Sequence, residues 1–429
     1  MPCLFTCTSY ISSISRKFTP MKIAIIGAGA AGCFAAANIP LSSGVEVAVF
    51  EKTGKVLQKV KASGGGRCNV THHCFDIPEL ITRYPRGKQL LRKSLYRFGP
   101  QQTIEWFEKR GIQLKAEDDG RMFPVTDDAQ TIIDCIWQEM MRQKTQIFYH
   151  KAVKSIEQLT TDGKTSFIIH FADTSVYGAD KIIIATGGFP KADQYQWIVA
   201  LGHNIESPVP SLFTFNMPGN PVTELMGVSV PEATIKIAGT KISQTGPLLI
   251  THWGMSGPAI LKTSAIAARE LANCNYEFTA LINWLKDMSD NDLKDMLLQL
   301  RREQGKQFVN QKNPFGLPRR LWEHLCTRCG ITDTTRWGDL PAAAQNKLTE
   351  FLLRDQYKVK GKTTFKEEFV TCGGVRITEI DPQTMESRKV PGIYFAGEIL
   401  DADGITGGYN FQHAWSSGYI AAQSVMAQQ

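Results

Sequence analysis

Three glycines at fixed spacing, Gly27, Gly29 and Gly32, stand between an apolar run (Lys22–Ile26) and an alanine-rich stretch (Gly32–Ile39). That setting suits a pyrophosphate. The first glycine permits a tight turn, the second lets the backbone approach phosphate oxygens, and the third lets helix and strand pack closely. The amides and dipole of the following helix then face the anion. Glu51 ends the next apolar run about twenty residues on, where a carboxylate accepts hydrogen bonds from the adenosine ribose hydroxyls and disfavours a 2′-phosphate.

A second glycine constellation lies near the other end of the chain. Gly397-Glu398 ends a strand-like run, Gly404, Gly407 and Gly408 form a loop, and Tyr409–Ser417 opens a helix, with Asp401, Asp403 and Asn410 interleaved. Backbone donors at that helix start suit negative charge on a reduced flavin. Between the two, Ala185-Thr186-Gly187-Gly188 ends another buried strand, where small residues let a cofactor cross a strand end. A dinucleotide gripped from both ends of the sequence points to FAD held as a resident group. NAD visiting as a substrate would leave the second constellation idle.

Other residues are chemically suggestive. Lys61–Thr71 (KASGGGRCNVT) offers free amides and the Arg67 guanidinium to an anionic or electron-rich ligand. Cys68 and Cys74 lack the spacing of a redox pair, so Cys68 reads as packing. His252, in THWGMSGP before an expected helix, is a candidate for substrate contact or proton transfer, as is Tyr409. Arg83–Arg97 holds six basic residues and no acid. It reads as a solvated helix face, with nucleic-acid binding as the alternative.

These residues need elements to position them. Lys22–Ile26, Gly32–Ile39 and Val45–Phe50 make a βαβ unit. Pro100–Arg110 and Asp128–Gln143 have helical patterns, Phe167–Phe171 and Ser175–Tyr177 read as paired strands, and Lys181–Ala185 is a further buried strand. Residues 194–283 change to short alternating strands, and 284–356 read as helical, with Ser289 capping Asp290–Glu303. The expectation is an α/β chain in which residues 21–193 and 371–429 build a Rossmann-like FAD-binding domain. A β-rich insert (194–283 and about 357–370) and a helical insert (284–356) interrupt it. Residues 1–20 are expected to carry no fold. They read as a mis-assigned start, with Met21 the initiator, in preference to a weak transit peptide.

At 429 residues the chain is too long for one ordinary domain, and 43% hydrophobic with 21% charged residues is the composition of a globular protein. A net charge of +7 does not by itself imply nucleic acid. Ten cysteines without repeating spacing read as reduced thiols in a cytoplasmic protein. Cys326 and Cys329 form a CxxC beside His324 but lack a second ligand pair, so no metal is expected. The uncharged stretch Ile23–Val45 is interrupted by Pro40 and dominated by glycine and alanine, which excludes a membrane span.

The stretches IIGAGAAG, EKTGKVLQKVKASGGGRCNVT, IIATGG, THWGMSGPAIL, TCGGVRITEIDPQTM and GIYFAGEILDADGITGGYNFQHAWSSG together resemble the BaiN-like or aminoacetone-oxidase-like flavoproteins, the YhiN group. The resemblance implies a three-domain flavoprotein, with a Rossmann-like FAD-binding domain, an inserted β-barrel-like substrate domain and a small helical domain, and with non-covalent FAD. It implies cofactor contacts at Gly27, Ala28, Gly29, Ala30, Ala31 and Gly32, at Glu51 and Lys52, at Arg67, Cys68 and Asn69, and near Val153. It extends them to Thr186 and Gly187 and to Gly397 through Phe411, including Glu398, Asp401, Gly407, Gly408, Tyr409 and Asn410. His72 departs from the usual Asn. Members are linked to amine oxidation and to reduction of unsaturated steroid-like substrates. The expected activity is therefore hydride transfer between flavin N5 and a small organic substrate, with oxygen or NAD(P)H as electron partner and no nucleic-acid partner. The rivals are an NAD-dependent dehydrogenase and a flavin-stabilised nucleic-acid-binding protein using Arg83–Arg97.

Overall fold

The computed structural model describes residues 20–427 apart from 43, 162, 287 and 364–369. The expectation for residues 1–20 lies, Pro20 aside, outside the described residues. In strand Met21–Ile26 the run Ile23–Ile26 is wholly apolar and buried, as suits a parallel strand covered on both faces. It sits at the centre of a five-stranded parallel sheet ordered Ile393–Phe395, Lys181–Ile184, Met21–Ile26, Val45–Phe50, Gln146–Phe148. The sheet thus joins strands from the beginning, middle and end of the chain.

Helices Ala30–Asn38, Ala129–Arg142 and Tyr409–Met426 pack together beside this sheet. Phe34 anchors them, with its ring 4.6 Å from Trp106 and 5.1 Å from Trp415. An antiparallel meander of Val153–Thr161, Lys164–Phe171 and Val176–Ala179 meets the sheet through Phe50, whose ring lies 4.9 Å from Phe171 and 4.8 Å from Tyr177. The terminal helix approaches the first helix closely. A Cβ on Gly418 would stand 2.6 Å from the Ala31 carbonyl oxygen.

Residues 214–363 contain a seven-stranded antiparallel sheet, ordered Asp355–Lys360, Glu277–Asn283, Ser229–Ile237, Ser243–Thr251, Gly254–Ser256, Thr214–Asn216, Lys362–Thr363. Its two edge strands are one piece of chain. They are separated only by Gly361 (φ +90°), whose N–H donates to the Tyr276 carbonyl (2.9 Å) and whose carbonyl accepts from the Asn216 N–H (3.2 Å). The sheet therefore closes on itself as a barrel-like body, as expected. Helices Asp290–Glu303, Arg319–Arg328 and Ala342–Arg354 share its apolar interior, around Trp284, Trp322 and Trp337. Ser289 caps the first of these helices by accepting from the Asp292 N–H at 3.2 Å. The chain leaves the parallel-sheet body along Ile205–Ser211 and returns along Val370–Val375, and these strands pair antiparallel.

One local expectation is corrected. Lys61–Thr71, whose glycines suit a loop, is not a loop throughout. A helix opens at Gln58 and breaks at Ser63 (ψ 149°), after which Gly64, Gly65 and Gly66 take φ of +60°, +69° and +87°. The three glycines supply a left-handed stop that residues with a Cβ adopt at a cost. Thr71–His72 then pairs with Arg121–Pro124.

Gly418→Ala is expected to lower stability by about 1–3 kcal/mol, because the added methyl meets backbone. Gly178→Ala, where nothing lies within 4 Å of the added carbon, should leave the melting temperature unchanged or raised. Thermal unfolding of both variants checks the pair, and equal melting temperatures would refute the helix contact.

Candidate functional site

The first glycine turn is closely confined except at one point. A Cβ on Gly27 (φ +105°) would lie 2.5 Å from the Ala185 carbonyl oxygen, and one on Gly32 would lie 2.0 Å from that of Gly27. Gly29 alone faces open space. It precedes helix Ala30–Asn38 without a side-chain cap, and the first bond back into the turn runs from the Cys33 N–H to the Gly29 carbonyl. The amides of Ala30, Ala31 and Gly32 are therefore left for another acceptor. Ala28 N–H donates to Glu51 Oε2 (3.0 Å), and Glu51 Oε1 accepts from the N–H and hydroxyl of Thr53, both 2.8 Å. The Glu51 carboxylate is held at the strand end by the turn it faces.

Two later segments complete this corner. Thr186 passes over Gly27, and Gly187 (φ +71°) opens to free space as Gly29 does. Gly188 backs onto Thr371 and Glu398. Glu398 accepts from Lys59 Nζ (2.6 Å) and the Thr371 N–H (2.9 Å). Gly397 lies against Ala31 and donates its N–H to Ser417 Oγ (2.8 Å). His413 Nε2 donates to the Gly397 carbonyl (3.2 Å), and burial holds its imidazole down at about 4, neutral at physiological pH. Its Nδ1 and the Thr371 hydroxyl are buried without a partner among the described residues.

The two glycine-rich segments at 64–66 and 404–408 are stitched together. With its amide oriented to satisfy both atoms, Asn69 donates to the Thr71 carbonyl (3.0 Å) and accepts from the Gly408 N–H (2.9 Å). Thr71 donates to Gln412 Oε1 (2.6 Å), and Trp415 Nε1 to the Val70 carbonyl (2.9 Å). His72 Nδ1 donates to the Gly407 carbonyl (3.1 Å), and its ring stacks on Tyr409 at 4.8 Å. Asn410 spends its amide on both backbone groups of Gly404, closing the loop. Tyr409 accepts from the Tyr84 hydroxyl at its carbonyl (2.8 Å), and burial pushes its own hydroxyl up to about 12. Phe411 stacks on Trp415 at 5.6 Å.

Not every expected residue is aimed at this corner. Arg67 turns to Glu117 (2.6 Å) and lies over Phe123 at 4.0 Å, so its guanidinium is already engaged within the protein. Cys68 is fully buried and its thiol is pushed up to about 12, in keeping with packing. Lys52 stands over Phe189 at 5.3 Å, and Val153 begins the meander. His252 is exposed on a turn beside Trp253, and no hydrogen bond or ring contact joins it to residues 397–411. Lys59, His72, Thr371, Gln412 and His413 are structural members of the network that the glycine spacing did not single out. Among the described residues, no cluster of three or more His, Cys, Asp or Glu is placed to hold a metal, and no helix is long and apolar enough to cross a membrane.

Asp401 and Asp403 face the barrel. Arg269 donates to both Asp401 oxygens (2.8 and 2.9 Å). Arg86, from the basic stretch, grips both oxygens of fully buried Asp403, donates to the Ala265 carbonyl (2.7 Å), and shares Asp403 with Ser211 Oγ (3.0 Å). Within Arg83–Arg97, Arg83 pairs with Glu79 and Arg97 with the Gln383 carbonyl, while Lys88, Arg92 and Lys93 are a solvated helix face. Arg86→Met strands a buried carboxylate and is expected to cost about 3–5 kcal/mol, with much of it recovered in Arg86→Met/Asp403→Leu. Urea midpoints of the two variants measure this. Equal midpoints in wild type and the single variant would remove the clamp from the argument.

A profile of HI0933-like protein Rossmann domains matches residues 21–424. The chain is 32% identical over 413 residues to the ribosomal RNA dihydrouridine synthase of Escherichia coli K12, covering 94% of this chain and 97% of that one. It is 28% identical over 415 residues to the 3-dehydro-bile acid delta(4,6)-reductase of Clostridium scindens, covering 94% and 98%. The 3-ketosteroid-delta4-(5alpha)-dehydrogenase of Rhodococcus jostii RHA1 shares the fold, with a TM-score of 0.51 at 12% identity over 96% of this chain and 99% of that one. With a dinucleotide turn, a second glycine grip and a family match spanning nearly the whole chain, the protein belongs to the HI0933-like family of Rossmann-type FAD-dependent oxidoreductases.

Proposed function

We propose that the protein is an FAD-dependent reductase that delivers hydride to a carbon–carbon double bond conjugated to a carbonyl in a small organic substrate, with NAD(P)H as electron donor. The observation that carries the reading is the two-ended glycine corner. Gly29 and Gly187 are open where a Cβ would intrude, and buried Thr371 Oγ1 and His413 Nδ1 await partners. These features fit a bound dinucleotide.

In this reading the Gly27–Gly32 turn, with Ala28, Ala30 and Ala31, holds the pyrophosphate. Glu51 takes the ribose hydroxyls and Lys52 adds positive charge nearby. Thr186, Gly187, Gly397 and Glu398 line the crossing, and backbone near Val153 borders the adenosine end. The helix start within Gly407 through Phe411 presents the amides of Tyr409, Asn410 and Phe411 where negative charge develops. Asn69 holds Gly408, and Arg67 and Cys68 support the glycine stop; Asp401 fixes the loop through Arg269. Bound FAD supplies two-electron hydride chemistry at flavin N5.

The double-bond reading rests on the relatives. A 3-oxo-Δ4,6 ring and a uracil ring both present a carbon–carbon double bond conjugated to a carbonyl, and a neighbouring cation or donor lowers the cost of charge on that carbonyl oxygen. Tyr409, with its raised hydroxyl, stays protonated near neutral pH and is suited to donate; exposed His252 is the weaker proton-transfer candidate. The eight described cysteines are free thiols, which fits a cytoplasmic setting.

Purified protein is expected to be yellow, and Gly29→Glu to be folded but colourless, because the added carboxylate would occupy the pyrophosphate's place. Anaerobic stopped-flow should show bleaching by NADH or NADPH, followed by recovery on adding a 3-oxo-4-ene steroid or uridine. Bleaching by amines with rapid reoxidation by oxygen would overturn the reductase reading. Failure to take up FAD at all would overturn the whole proposal.

A further inference from the structure

We propose that Lys262, on the barrel helix Pro258–Ile266, binds an electron-rich oxygen of the substrate, a carboxylate or a polarised carbonyl, beside the terminal glycine loop. This inference rests on the flavoenzyme reading above and names the chemistry of its substrate contact.

The helix is tied to the other body one turn beyond Lys262, where Ala265 presents its carbonyl to Arg86 at 2.7 Å and, with Ile266, joins the apolar core of the parallel-sheet body. Residues three and four apart share a helix face, so Lys262 lies on the face by which Ala265 and Ile266 meet the parallel-sheet body. Arg83 and Asp119 act electrostatically on Lys262, and the same two charges act on His72 and on Tyr409. Arg86 joins the Ala265 carbonyl of this helix to Asp403 at the start of the terminal glycine loop, and that loop leads into the terminal helix, at whose opening the His72 and Tyr409 rings stack 4.8 Å apart. The opening of that helix is where the second glycine grip presents its donors.

Lys262 is half-buried, and among the described residues no hydrogen bond or ion pair holds its ammonium. The nearby carboxylates are already matched, Glu79 with Arg83 at 3.2 Å and Asp119 with Arg121 at 2.7 Å. Burial lowers the affinity of Lys262 for its proton. Lys362, lowered in the same way, lies over the Tyr276 ring at 4.6 Å. A partly desolvated ammonium without a counter-ion gains most from a negative or polarised oxygen. Lys262 belongs to the barrel and His72 and Tyr409 to the parallel-sheet body, so such an oxygen would be held between the two.

The test is benzoate titration of purified, FAD-loaded protein, followed by calorimetry and by the flavin difference spectrum. Wild type should bind and perturb the spectrum. In Lys262→Gln the dissociation constant should rise about tenfold or more, the loss of one charge-assisted hydrogen bond, with the flavin-to-protein absorbance ratio unchanged. Lys262→Arg should retain most of the affinity. Equal affinities in wild type and Lys262→Gln, or no binding in wild type, overturn the Lys262 site and leave the flavin reading standing. A protein that takes up no FAD overturns the parent reading, and with it this one.

Discussion

The buried pair of Arg86 and Asp403 sets the constraint around which the molecule is organised. A carboxylate without solvent is costly unless its charge and lone pairs are all met. Here Arg86 and Ser211 meet the carboxylate and the Ala265 carbonyl holds Arg86, so the cluster draws on four stretches: the early basic segment, the terminal loop, the outgoing strand and the barrel helix. Asp403 can be buried only when the barrel is docked and the C-terminal loop is in place. Folding of the terminal loop and seating of the barrel are in this way coupled by electrostatics.

A second dependence is steric. Gly27 lies under Ala185, Gly397 against Ala31, Gly408 against Thr71, and Gly418 against Ala31. Each contact brings a late segment onto an early one with backbone in the position of a side chain. The glycines therefore do more than free local turns, because they let distant pieces of chain approach closely enough to enclose one ligand from both sides. Hydrogen bonds from Asn69, Thr71 and His72 then fix the approach.

Much of this was legible beforehand where the physics is local. The βαβ unit follows from apolar runs and glycine spacing, and Ser289 announced its helix as an N-cap. What was hidden depends on long-range contact. Arg86 looks like any other cation in a basic run, and only the fold separates it from solvated Lys88 and Arg92. Arg67 was expected to reach toward a ligand, yet Glu117 is about fifty residues away in sequence and engages it first. His72, Gln412 and His413 had no motif of their own, since their roles are created by the segments facing them. Closure of the barrel was equally invisible residue by residue, because Gly361 resembles any turn glycine.

That closure also bears on how the protein behaves in a crowded solution. An open sheet ends in rows of unpaired amides and carbonyls, which invite strands from other molecules. Here the run from Asp355 to Thr363 serves as both rims, and the bend at Gly361 is bonded on each side, to Tyr276 and to Asn216. The inserted sheet thus shields its own margins. Its resistance to intermolecular strand pairing is vested in one glycine, and loss of that bend would expose two edges at once.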